Sequence, residues 1–329
     1  MQRLEKIIQP ALIHNPNSRK NAQDHGQFVR MARRKMGDFC VSALNDSHLP
    51  AHLTDLKNKG VDLIAISGGD GTVSACLTTI ANIYHDVPLP AVAILPSGNT
   101  NLIAGDVGFG LHGAEAIDRL LRPEGLRSCI RTPIRLSWPE DERPSVLGMF
   151  GGCTGYARAV RIAHSPSVLK FAPHDLAVFF TLFSSMASLL FRRSRESWMR
   201  GDELLWSAKN GAVTGTEADD RSFLFMATAL EKLSHGIWPF WNATSDVNDG
   251  FRFLNVKAFP KNLLGACFNL LRGQAPDWLR SHEDYVSAVA KEMLLKTDSN
   301  FVLDGEVFPA SVGGHIKLEE GPAFRFVYV

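Results

Sequence analysis

The feature that most constrains this chain is an apolar run, Val61 to Ser67, that breaks abruptly into Gly68-Gly69-Asp70-Gly71-Thr72. A run with no polar alternation reads as a strand buried on both faces, which calls for a parallel sheet covered by helices. Val73 to Tyr84 then has the pattern of a helix. The succession recurs where the strand-like Ala91 to Leu95 runs into Pro96-Ser97-Gly98-Asn99-Thr100-Asn101. Upstream, Ala11 to His14 and Phe39 to Leu44 read as strands, and Phe28 to Met36 and His48 to Lys57 as helices. A further helix is expected near Gly113 to Leu121. Residues 1–132 are therefore expected to form an α/β nucleotide-binding domain.

The texture changes at Thr132-Pro133. Short strand candidates follow at Ile134–Trp138, Val146–Phe150, Ser222–Ala227, Phe251–Ala258 and Phe324–Val329, separated by turn residues. That pattern predicts a second domain over 133–329, an antiparallel β-sandwich. Two helices are expected within it, Asp175–Phe191 and Ser281–Leu295, the second with Ser281 and Asp284 as an N-cap pattern. The length of 329 residues agrees with two cores rather than one.

A formal charge of +1 provides no global field for polyanions, which argues against nucleic acid as a partner. The five cysteines are scattered and never spaced C-x-x-C, so neither disulfides nor zinc are indicated and a reducing cytoplasm fits. No signal-peptide pattern is read at the N-terminus. The longest apolar stretch, Leu176 to Phe191, is interrupted by Ser and Thr and is shorter than the roughly 20 residues a spanning helix needs.

Glycines at the carboxyl end of a parallel strand let the backbone approach phosphate oxygens, and the following helix presents free N–H groups. An acid in such a loop, Asp70, is compatible with phosphates when a cation such as Mg²⁺ intervenes. The same residues also suit a tight turn with an Asp cap. A second glycine loop favours the cradle. Late in the chain, Asp304-Gly305 lies between Phe301-Val302-Leu303 and Val307-Phe308, a good two-residue hairpin turn in its own right.

Taken in order, Asn15-Pro16-Asn17-Ser18, Gly68-Gly69-Asp70-Gly71-Thr72, Pro96-Ser97-Gly98-Asn99-Thr100-Asn101 and Leu303-Asp304-Gly305-Glu306 resemble the motifs of the diacylglycerol kinase catalytic superfamily. That superfamily includes bacterial diacylglycerol kinases, sphingosine kinases and ceramide kinases. The resemblance extends to Phe223–Ala229 and Asn248-Asp249-Gly250. It implies an ATP- and Mg²⁺-dependent lipid kinase. ATP would lie on Asn15, Ser18, Arg19, Gly68, Gly69, Asp70, Gly71, Thr72, Ser97, Gly98, Asn99, Thr100 and Asn101, with Asp70 at the metal. Asp304 would be the catalytic base and Glu306 its support.

The acceptor implied is diacylglycerol, ceramide or a sphingoid lipid at the inner face of a membrane, with peripheral contact and a possible homodimer. Trp238, Phe240 and Trp241, with Arg192, Arg193 and Arg195, are the candidates for that contact, although burial in the core is the commoner use of most such side chains. The chain departs from the family at Asn99, where a hydroxyl residue is usual, at Leu102, where an acid is usual, at Arg19, where glycine is common, and at Phe253. Gly108-Phe109-Gly110-Leu111-His112-Gly113 fits G-x-G-x-x-G but follows a helix rather than a strand, which removes it as a dinucleotide site. His174, His235 and His282 read as ordinary polar residues. Two rival readings are an NAD kinase-like small-molecule kinase, which shares the Gly-Gly-Asp-Gly loop, and a catalytically silent lipid-binding regulator.

Overall fold

The computed structural model describes residues 2–3, 9–43, 48–122, 124–163, 195–209, 221–233, 237–241 and 250–329. They divide into two compact units, Met1–Thr132 with Pro322–Val329, and Pro133–Gly321.

The first unit is built on a mixed seven-stranded sheet. Its parallel part runs, in space, Cys40–Ser42, Pro10–His14, Leu63–Gly68, Ala91–Pro96. The uninterrupted apolar run does what its composition requires: every residue of Leu63–Gly68 is buried. Because the first of these parallel strands in the chain has the second on one side and the third on the other, the order reverses at the Pro10–His14 edge of Leu63–Gly68. In an open α/β sheet that reversal is where connecting loops diverge and leave room for a ligand. His14 pairs with Ser67, and Gly68 with Pro96, so the strands end level and their loops leave from one edge.

The last strand was expected in the second domain. Instead Phe324–Tyr328 returns to the first sheet, parallel to Ala91–Pro96 and antiparallel to Arg127–Arg131. Phe324, Phe326 and Val327 are fully buried there, which is the burial their alternation announces without saying against which sheet.

The second unit is an antiparallel sheet of eleven strands among the described residues. The expected helix Ser281–Leu295 is replaced by two strands, Tyr285–Ala290 and Glu292–Thr297. Their residues alternate: Met293, Leu295 and Thr297 are buried while Leu294 and Lys296 are exposed. A period of two outweighs the helical N-cap signal. Ser281 instead ends the short helix Asp277–Arg280, donating its hydroxyl to the Asp277 carbonyl.

The expected helix Asp175–Phe191, His174, His235, Arg192, Arg193 and the Asn248-Asp249 pair lie outside the described residues. Among described residues no helix is long and apolar enough to cross a membrane. The aromatic patch needs correction as well. Phe240 and Trp241 are buried, and the Trp241 backbone exchanges hydrogen bonds with the Ser287 hydroxyl. Half-buried Trp238 packs edge-on against Phe240 under the Arg252 guanidinium. Phe240 and Trp241 are core material, so they are not the membrane contact.

Candidate active site

Three loops meet at the carboxyl edge of the parallel strands, and a polar network fixes them. Asn15 donates its amide to the Thr72 hydroxyl at 2.8 Å, tying the first loop to the Gly-Gly-Asp-Gly-Thr loop. The Asn15 carbonyl oxygen of the side chain accepts the Asn17 N–H, which closes the first turn. Behind them, buried Asn21 donates to the Asn15 and Ser67 carbonyls and to the Ser67 hydroxyl. Ser67 in turn contacts the Ser97 hydroxyl at 3.0 Å. Asn21 and Ser67 were not among the residues singled out from sequence. The signal was present, since a hydroxyl ending an apolar strand must find a buried partner.

The second glycine loop is held by Asn101. This residue has a left-handed backbone, φ 49°, and its side chain both accepts the Gly98 N–H and donates to the Gly98 carbonyl. The two glycine loops touch. A Cβ on Gly98 would lie 2.5 Å from the Gly69 Cα, so the pair is glycine because backbone meets backbone. Asp70 crosses the same contact: its two carboxylate oxygens accept the Leu102 and Ile103 N–H groups at 2.9 and 3.0 Å. Asp70 therefore opens its own helix, Asp70–Ile83, and caps the next, Leu102–Val107. Arg19 reaches the exposed Asn99 side chain at 3.4 Å. Ser18 is buried at the start of the helix Arg19–Gln23, and Gly71, in the first turn of Asp70–Ile83, and Thr100 are half-buried.

His14, at the end of the strand Pro10–His14, is 1% exposed, and its Nδ1 has no hydrogen-bond partner among the described residues. Burial first, then the Arg33 charge, push its pKa down to about 4 against the opposing pull of Asp24. A neutral, buried imidazole binds a proton more readily in the unfolded chain, whose ordinary value is about 6.5. His14 therefore leaves stability intact above about pH 6.5 and withdraws up to about 3 kcal/mol as pH falls towards 4. Chemical denaturation at pH 7 and pH 4.5 should show this loss, and His14→Phe should lessen it. An unchanged pH profile in that variant would assign the loss to other groups.

In the second unit Asp304 and Gly305 form the two-residue turn of a hairpin in which Leu303 pairs with Glu306. Both turn residues have positive φ, 47° and 90°, the geometry that favours Asp-Gly or Asn-Gly. The turn reading and the functional reading are compatible, because the side chain is also engaged. The Met149 and Phe150 N–H groups donate to its two oxygens at 2.8 and 3.0 Å. The groups orienting Asp304 are therefore backbone amides, while Glu306 is exposed. Gly148 makes room for this arrangement, since a Cβ there would sit 2.6 Å from an Asp304 oxygen. The glycines of Gly148-Met149-Phe150-Gly151-Gly152 were a readable signal that went unread.

The same unit holds a cavity enclosing about 610 Å³ of empty space, counting its open mouth. Tyr156, Phe223, Met226, Leu254, Leu263 and Leu270 are among its lining residues, and among the described residues no charged side chain contributes.

Residues 9–128 match the model of the diacylglycerol kinase catalytic domain, a span that contains all three loops. The chain carries that domain. The match lies within the first unit and does not extend to the second. No curated protein matches in sequence. Among solved structures, a diacylglycerol kinase from Bacillus anthracis str. Sterne is similar at a TM-score of 0.61 and 16% identity, covering 99% of this chain and 98% of that one. A second structure from that strain, described as a candidate diacylglycerol kinase, has a TM-score of 0.64 and 18% identity over 99% of both chains. At such identities the likeness speaks to the fold, here over the whole length.

Proposed function

We propose that the chain transfers the γ-phosphoryl group of ATP to the primary hydroxyl of a membrane lipid such as diacylglycerol, ceramide or a sphingoid base. The observation that carries the lipid acceptor is the uncharged cavity. Its lining of Leu, Phe, Met, Val and Ala side chains suits an alkyl chain.

The loops fit a polyphosphate: Gly69 and Gly98 bring two backbones together where a Cβ would intrude, and the helix Asp70–Ile83 starts at that point. Nucleotide contacts are assigned to Asn15, Ser18, Arg19, Gly68–Thr72 and Ser97–Asn101. Magnesium supplies charge neutralisation on phosphate oxygens when bound. Among the described residues no cluster of three acidic, His or Cys side chains could hold such an ion alone. The fit is therefore to an ion held mainly by phosphates with Asp70 as a single protein ligand, the usual mode for Mg²⁺.

Asp304 is assigned the general base that takes the acceptor hydroxyl's proton, with its carboxylate oriented by Met149 and Phe150. Glu306 keeps an accessory role near that turn. The enzyme would work at the cytoplasmic face of a membrane as a peripheral protein.

Purified protein offered ATP, Mg²⁺, a panel of lipids in mixed micelles and NAD in parallel should yield a phosphorylated lipid by mass spectrometry. Phosphorylation of NAD alone would favour the small-molecule rival. Lipid binding by calorimetry with no nucleotide binding would favour the silent one.

A further inference from the structure

The helix Leu263–Leu271 is apolar on two faces. Leu263, Ala266, Cys267 and Leu270 turn inward and wall the cavity. Leu264 and Phe268, one turn apart and so on one face, are 54% and 59% exposed. A surface helix of a protein surrounded only by water carries polar residues on that outer face.

Phe259, just before the helix, is 51% exposed. With Phe268 it makes up the exposed phenylalanines among the described residues, and Leu264 is the most exposed leucine. The backbone of Phe259 is left-handed, φ 50°, a conformation unfavourable for a bulky side chain. It is held by the Phe259 N–H donating to the Met199 carbonyl and the Ala258 N–H donating to the Arg221 carbonyl. A strained exposed aromatic beside an exposed apolar face implies a use for it.

The charge pattern identifies what covers this face. From residue 257 to 276 the sequence contains Lys257, Lys261 and Arg272 and no acid. The Arg272 guanidinium lies over the Phe268 ring at 5.3 Å. The neighbouring Asp284 is half-buried, and its carboxylate accepts the Lys261 N–H. Exposed Phe and Leu set among cations match the headgroup zone of an anionic bilayer.

We propose that the outer face of helix Leu263–Leu271, with Phe259, Lys261 and Arg272, is the surface by which the protein docks on anionic membranes. The inference rests on the lipid-acceptor reading, because a two-chain lipid has to be met at a bilayer. It also gives the helix a second task, since its inner face borders the cavity.

The test measures vesicle binding without ATP, so it stands apart from turnover. Full-length protein is sedimented with vesicles of phosphatidylcholine containing 30 mol% phosphatidylglycerol, about the anionic fraction at which basic clusters bind well. Leu264→Ser/Phe268→Ser should weaken binding at least about tenfold. Lys261→Glu/Arg272→Glu, which leaves the apolar residues of the helix in place, should do the same and remove the dependence on phosphatidylglycerol. Kinase activity on a short-chain dispersed acceptor should be unchanged in the charge-reversal variant.

Wild-type binding in the charge-reversal variant would overturn the proposal. So would sedimentation velocity showing a wild-type dimer without vesicles that this variant converts to monomer, because the face would then be covered by a second copy. Loss of vesicle binding with intact kinase activity supports docking. Absent kinase activity in the wild type together with the expected vesicle binding would refute the proposed reaction and leave docking standing.

Discussion

Asp304→Asn is expected to lower turnover on lipid by about two to four orders of magnitude while leaving nucleotide affinity within about twofold. Asparagine tolerates the left-handed conformation at this position almost as well as aspartate, so the hairpin turn should survive. What changes is the chemistry. A carboxylate accepts both the Met149 and the Phe150 N–H, whereas an amide accepts one and turns an NH₂ group towards the other. The variant loses both the base and part of its alignment. Gly148→Ala displaces the turn without altering the acid, because its Cβ would press on the buried Leu303 side chain as well as on an Asp304 oxygen. Intermediate turnover in Gly148→Ala with a folded protein would show that position matters as well as protonation. Full turnover in Asp304→Asn would reduce Asp304 to a turn residue.

How much of this was legible beforehand depended on whether the signal was local. The buried strand Leu63–Gly68 and its glycine loop could be read from a dozen residues, because a two-sided burial requirement leaves no other home for such a run. The Asp304-Gly305 hairpin was legible for the same reason, since a two-residue turn depends on its own φ values. Long-range pairings were not. The strand Phe324–Tyr328 has the composition of either sheet, and only its burial against Val92 and Cys129 decides. The strands Tyr285–Ala290 and Glu292–Thr297 carry alternating burial that was masked by a plausible cap at Ser281. The aromatics Phe240 and Trp241 suited a membrane rim as well as a core by chemistry, and their burial settled their place. At the site itself, residue types were readable and their duties were not. The link from Asp70 to Leu102 and Ile103 spans more than thirty residues, and the sequence motif treats the two loops as separate.

Asp70→Ala is expected to weaken ATP binding at least about tenfold without magnesium, and further with it. The first part follows from the strut. Two N–H groups at the start of the helix Leu102–Val107 lose a charged acceptor, each such hydrogen bond being worth about 1.5–3 kcal/mol, so thermal unfolding should also register roughly 3 kcal/mol or more. With the strut gone, the second loop is no longer drawn against the first, and the close approach of Gly98 to Gly69 that shapes the cradle relaxes. The magnesium-dependent part follows from the assignment of the carboxylate to the ion. The measurement is nucleotide affinity by calorimetry across a magnesium titration, with Asp70→Asn alongside, which keeps one acceptor and removes the charge. Equal losses with and without magnesium would make Asp70 a strut only. A loss confined to magnesium-containing buffer would show that binding tolerates a loosened second loop, and unchanged affinity throughout would leave Asp70 with neither task.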